Sequence, residues 1–250
     1  MKILNILILV FCICFSMLSF FIQRPEINLA NMFANPSLEH IFGTDFLGKD
    51  VVVELIHASN SSLQIGIFSS LLACVIGVIV AIFMQFFFKN AILKILDLLI
   101  ATPSLILIMF IQSLFDGGKL TIILLFGFTH FAITSKTLNV FFSTYLKQDY
   151  ILNLIIFRAS KFDIFKQISF VLFNIILVLF IQNVAHIILS ESTLSFFGLG
   201  LKPYEASIGN MLNDNAKCIY LGHYHLILAP GIYLFLLIYS LNNLSSIIRK

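Results

Sequence analysis

Residues 64–88 read QIGIFSSLLACVIGVIVAIFMQFFF, a run of 25 residues without a single charge. At 1.5 Å per residue a helix of that length is about 37 Å long, enough to cross the ~30 Å hydrocarbon core of a bilayer. Uncharged runs of similar kind recur at Ile3–Ile22, Leu98–Phe115, Leu120–Ser135, Ile168–Ser190 and from about Tyr224 to Ile248. The expectation is therefore an all-α integral membrane protein of about six transmembrane helices. Composition agrees. The 250 residues are 60% hydrophobic and 11% charged, whereas a soluble domain is about half apolar and a quarter charged. The first run is longer than a signal-peptide core and lacks a small-x-small cleavage site after it, so it reads as a retained helix.

Lysine and arginine set the expected orientation. With a cytoplasmic N-terminus, ten of the fifteen basic residues fall inside and five outside. Both termini are then cytoplasmic. Residues 1–22 form the first helix, 23–63 an extracytoplasmic segment, and 64–250 a core with five more helices. A cytoplasmic segment spans about 147–168, and a second extracytoplasmic segment about 191–222.

Several function classes are disfavoured. A net charge of +3 is too small to argue for nucleic acid. Three of the four cysteines, Cys12, Cys14 and Cys74, fall in apolar runs and only Cys218 in a polar stretch. No disulfide framework, zinc site or cofactor is expected. Gly43, Gly48 and Lys49 match the start of a phosphate-binding loop, but Asp50 stands where a Ser or Thr must bind magnesium, and no strand pattern precedes it. No paired carboxylates or His-Glu-x-x-His suggest catalysis, so no catalytic residue is assigned.

Two polar segments carry the functional signals. From Asp149 to Gln167, Ile151, Leu154, Ile155, Phe162 and Phe165 alternate with Arg158, Lys161, Asp163 and Lys166 at helical spacing. Either a surface helix that anchors a loop or a helix that docks a soluble partner fits that pattern. After the fifth run, Glu191 opens ESTLSFFGLGLKP to Pro203, followed by IGNML at 208–212. Gly198 and Gly200 with Pro203 interrupt helical structure, and such backbone near a membrane must be covered by protein or line a cavity. A re-entrant element facing a translocation path and an ordinary packed loop both satisfy that condition.

Those residues carry a resemblance. Leu194-Ser195-Phe196-Phe197-Gly198-Leu199-Gly200, Pro203 and Gly209-Asn210-Met211-Leu212 closely resemble the signature of the dipeptide/oligopeptide/nickel permease family of ABC importers. Gly43-Thr44-Asp45, Gly48-Lys49-Asp50, Ser62-Leu63 and Gly66 resemble that family's segment between the first two helices, in its shorter-arm type. Asp97 through Ala101-Thr102-Pro103-Ser104-Leu105 is similar to its third-helix start.

The resemblance implies a type I ABC importer permease in a bacterial inner membrane, without catalytic activity of its own. It implies pairing with a second homologous permease, two ATPase subunits that hydrolyse ATP, and an extracytoplasmic substrate-binding protein. Asp149, Tyr150, Arg158, Ala159, Ser160 and Lys161 would then belong to the ATPase-coupling helix. Leu194, Ser195, Phe196, Gly198, Gly200 and Pro203 would form the turn at the translocation pathway. The coupling segment departs from the family: its usual glycine is Arg158 or Phe157 here, and its usual proline is Phe170 or Val171. Peptides and nickel complexes are both family substrates. An ion-coupled secondary transporter is the alternative, but it needs coupling groups near the midplane, where this sequence offers only His130 and His186.

Single residues complete the expectations. Asp97 pairs with Lys94 one turn earlier on the same helix. Gly77 and Ala81 let another helix approach closely. His223 and His225 point about 200° apart if helical, which is poor for joint chelation, and share a face if extended.

Overall fold

The computed structural model describes residues 2–114, 118–145, 147–148, 161–202 and 204–249, without the side chains of Lys2, Phe86 and residues 161–171. Eight α-helices run through them: α1 Lys2–Met17, α2 Val51–Phe86, α3 Lys89–Ala101, α4 Ser104–Leu114, α5 Lys119–Tyr145, α6 Lys161–Phe196, α7 Ile208–Ala216 and α8 His225–Ile248. There is no extended strand among the described residues, only an isolated antiparallel bridge between Thr44 and Asp50. Five helices (α1, α2, α5, α6 and α8) are long and apolar enough to cross a membrane; α3 and α4 together make a sixth candidate.

That sixth crossing is not the straight helix expected over Leu98–Phe115. It is bent by 78° at Thr102 and Pro103. The residue before a proline is pushed out of the helical region, and Thr102 is extended, with ψ 130. Its hydroxyl donates back to the Leu99 carbonyl at 2.7 Å, closing the end of α3.

Helix limits also differ from the uncharged runs. α2 starts at Val51, inside the expected 23–63 segment, and α6 starts at Lys161 and continues to Phe196. Charge counting finds hydrocarbon, not helix ends. The start of α2 is set by Asp50, whose carboxylate accepts from the Val52 and Val53 amides at 2.8 and 3.0 Å. Such an N-cap contributes about 1 kcal/mol.

α2 is the central post. It packs along α5 and α6; α8 lies on α6 and α1; α7 wedges between α2, α6 and α8. The close approach of α2 and α5 depends on small residues. A Cβ on Gly77 would lie 2.8 Å from Thr134 Cγ2, and one on Gly127 would lie 2.4 Å from Leu72 Cδ2. Nearby Ala81 is buried with Met84, Ala132 and Leu138. A second buried cluster joins Ile65, Ile108, Phe126, Ile187 and Leu194. The outer faces carry exposed Leu71, Ile79, Phe110, Phe128 and Phe235, as expected where lipid replaces water.

Asp97 does not pair with Lys94. Lys136 Nζ on α5 donates to Asp97 Oδ1 at 2.6 Å, so the bridge joins two helices rather than supporting one.

Candidate functional site

The signature residues gather at the end of the bundle where α2 begins and α6 stops. α6 closes in a left-handed cap. Gly198 has φ +74; its amide donates to the Ser195 carbonyl and the Leu199 amide to the Leu194 carbonyl, both at 2.9 Å. That pair of bonds satisfies carbonyls that a helix end leaves open.

Glu191 lies just before this cap and is only 1% exposed. Its two carboxylate oxygens accept from Ser195 Oγ at 2.8 Å and from Ser62 Oγ of α2 at 2.9 Å. Each serine also accepts a backbone amide: Leu201 N–H donates to Ser195 Oγ at 3.2 Å, and Ile208 N–H to Ser62 Oγ at 3.4 Å. The buried acid thus organises both sides of the turn through two hydroxyls. From α4, Gln112 Nε2 donates to the Gly200 carbonyl at 2.7 Å. Asn210 Nδ2 donates to the Lys202 and Glu205 carbonyls at 3.0 Å each.

The two glycines of the turn have different work. A Cβ on Gly200 would sit 2.0 Å from Ser195 Oγ, whereas one on Gly198 would meet only Asn213 Nδ2, at 3.9 Å. Gly200 is required by close approach, Gly198 by backbone conformation. Gly209 is packed like Gly200, with a Cβ position 2.3 Å from the Ser192 carbonyl oxygen. Leu194 and Ser195 are buried, while Phe196 is exposed. Pro203 lies outside the described residues, as do Asp149, Tyr150, Arg158, Ala159 and Ser160. The backbone of Lys161 opens α6.

The Gly43–Asp50 stretch is a capping loop. Gly43 and Gly48 have φ +72 and +73, and a Cβ on Gly48 would lie 1.8 Å from the Asn28 carbonyl oxygen. Asp45 Oδ1 accepts the Leu47 and Lys49 amides at 2.8 Å each. His40 Nδ1 lies 2.7 Å from Asp50 Oδ2, and Lys49 Nζ lies 3.5 Å from Glu54 Oε1. Lys49, Glu54, His57 and Asp214 line a polar pocket there. Burial pushes the Asp214 carboxyl up; Lys49 opposes that shift and Asp45 adds to it.

A second feature lies deeper. The bend at Thr102–Ser104 opens a cleft of about 440 Å³ against α5 and α6, lined by Thr129, His130, Asn183, His186 and Ser190 together with apolar Leu99, Ile100 and Ile133. His130 Nδ1 is 3.1 Å from the Phe126 carbonyl oxygen; a carbonyl only accepts, so Nδ1 donates there. Asn183 Nδ2 donates to Thr134 Oγ1 at 3.0 Å. The cleft thus gathers several hydrogen-bonding side chains within an apolar bundle. Among the described residues no group of three or more His, Cys, Asp or Glu side chains is placed to hold a metal ion.

The hub of Glu191, Ser62 and Gln112 was not assigned a role from the sequence, although Glu191 opens the quoted turn. Its signal was available as a lone carboxylate between two apolar stretches.

Comparison with known proteins agrees with this architecture. Residues 73–250 match the family described as "Binding-protein-dependent transport system inner membrane component". The chain is 30% identical to the dipeptide transport system permease protein of Bacillus subtilis over 211 residues, covering 83% of this chain and 66% of that one. It is 28% identical to the metal-staphylopine import system permease protein of Staphylococcus aureus over 233 residues, covering 92% and 80%. Identity to the glutathione transport system permease protein of Escherichia coli is 26% over 228 residues, covering 88% and 73%. With the family match covering most of the chain and the signature turn folded about a buried acid, the chain belongs to the binding-protein-dependent transport system inner membrane components.

Proposed function

We propose that this chain is the permease subunit of an ATP-driven importer for peptides or nickel complexes, and that it forms the translocation pathway with a second homologous permease. Two ATPase subunits supply the energy, and an extracytoplasmic binding protein delivers substrate. The chain itself performs no catalysis.

The observation that carries this reading is the signature turn. Leu194–Gly200 and Gly209–Asn210 are tied to α2 and α4 around Glu191, beside the cleft at the α3–α4 bend. A helix cap tied to two other helices shifts together with them. Under the positive-inside pattern this turn faces the outside, and the start of α6 faces the ATPases. Asp149, Tyr150 and the Arg158–Lys161 run then supply the docking segment.

Uptake of labelled nickel and labelled dipeptides in a deletion strain tests the reading. Loss of either uptake, restored by the intact gene, supports it; unchanged uptake of both overturns it. For docking, replacing the charges of Arg158, Lys161 and Lys166 is expected to reduce co-purification of the ATPase subunits. Undiminished recovery counts against contact at that segment.

A further inference from the structure

Two clefts lie between α5 and α6, and no residue of α2 lines either of them. One is the cleft at the α3–α4 bend, with Asn183, His186 and Ser190 of α6 on its wall. The other, of about 600 Å³, lies toward the end of the bundle opposite the signature turn. Asn174 and Gln182 of α6, Thr137 and Tyr145 of α5, and Arg249 just beyond α8 line it. The two linings run on from one another. Gln182 and Asn183 are chain neighbours, and Thr137 follows Ile133 by about one helical turn.

The depth of these groups is what matters. α6 crosses over Leu172–Phe196 and α5 over Lys119–Tyr145. Gln182 and His186 are each two residues from the middle of the first span, and His130 is two residues from the middle of the second. His186 is exposed there, and Gln182 is half-buried. Asn183 Nδ2 is satisfied by Thr134 Oγ1; Gln182 and His186 find no side-chain partner among the described residues. Hydrocarbon offers no hydrogen bond, so polar side chains at mid-bilayer face protein or water. Other faces of the bundle are apolar at the same depth. Phe235, near the middle of the α8 crossing His225–Ile248, is exposed, as is Phe68 near the middle of the α2 crossing Val51–Gln85.

We propose that the α5–α6 face is a water-lined half-channel running through the bilayer, and that a second, homologous membrane chain, not lipid, supplies the wall opposite it. Hydroxyl, amide and imidazole groups exchange hydrogen bonds with water and with solute alike, so the groove suits a hydrated polar cargo. The identity of the opposite chain rests on the importer reading; the wetness of the groove does not.

The test is made in native membranes, before and after vanadate trapping, in a background lacking Cys12, Cys14, Cys74 and Cys218. A membrane-impermeant methanethiosulfonate is supplied on both faces. Thiols react as thiolates, which lipid suppresses. In at least one of the two states Gln182→Cys and His186→Cys are expected to react on the order of tenfold or more faster than Phe235→Cys. Rates no faster than that of Phe235→Cys in both states overturn the half-channel. The unsubstituted chain gives a second reading. Diethyl pyrocarbonate is expected to carbethoxylate His186, located by mass spectrometry, and an unmodified His186 in both states overturns the proposal. For the opposite wall, p-benzoylphenylalanine at Ile133, a half-exposed lining residue, is expected to cross-link to a homologous permease identified by mass spectrometry. Adducts with lipid alone overturn the shared wall. Reactive cysteines in a chain whose deletion leaves nickel and peptide uptake unchanged would sink the importer reading and leave the groove standing. Unreactive cysteines in a chain that uptake requires would do the reverse.

Discussion

Ser62 and Glu191 stand 129 residues apart in the chain and meet in a buried hydrogen bond of 2.9 Å. The contact ties the first half of α2 to the turn of α6 before its last, and it does so with a carboxylate shielded from water. The cost of leaving such a group without its partners exceeds the gain from making the bond.

Glu191→Ala strips both serines of their acceptor and opens a cavity, so it should lower the midpoint of thermal unfolding in detergent and abolish uptake. Ser62→Ala removes one donor from the buried acid and is expected to destabilise by about 1–3 kcal/mol. Scanning fluorimetry of the purified variants measures both. A midpoint unchanged in Glu191→Ala would refute the organising role of the acid.

The two turn glycines should separate cleanly. Gly198→Ala has room for its methyl and suffers only the left-handed backbone, about 1–2 kcal/mol. Gly200→Ala forces a carbon into the space of Ser195 Oγ and the helix backbone. Gly200→Ala should therefore be the more damaging of the two for uptake and for thermal stability. The reverse order would contradict the packing described for this turn.

Asp97 and Lys136 offer a contrasting case. Their side chains are 54% and 44% exposed, and exposed pairs contribute less than about 1 kcal/mol. Asp97→Asn should leave the unfolding midpoint and the uptake rate close to those of the parent chain. A large loss of uptake at unchanged stability would assign Asp97 a part in transport.

Orientation has a direct readout. Leu38, fully exposed on the loop before α2, can be replaced by cysteine in a background lacking Cys12, Cys14, Cys74 and Cys218. A membrane-impermeant maleimide added to cells with a permeabilised outer layer is expected to label it. Labelling only after the inner membrane is breached would invert the topology.

Much of this architecture was legible in the sequence, because hydrocarbon imposes a length and a polarity that the residues must satisfy. The run at 64–88 marks α2, and Gly77 forecasts the close packing against α5. Boundaries were less legible. Asp50, Glu54 and His57 are polar and yet helical or capping, so counting charges places the start of α2 too late. The break at Pro103 was visible as a residue but not as a bend, since a proline in a helix can also be absorbed by its neighbours. The site was legible as a motif and not as a mechanism. The glycines were in plain sight beside Glu191, but their dependence on Ser62 and Gln112 arises from two other stretches of chain that only folding brings to the turn. The pairing of Asp97 was misjudged for the same reason, since its partner lies on another helix.

α6 runs unbroken from Lys161 to Phe196, about 54 Å of rod at 1.5 Å per residue. Its far end carries Glu191 and the glycine turn, and its near end emerges from the segment expected to meet a motor. A stiff rod converts angle into travel: tilting it by about 5° at one end shifts the other by about 4.7 Å for this length. A small rocking at one face of the membrane thereby becomes a displacement at the opposite face large enough to part a hydrogen-bonded latch.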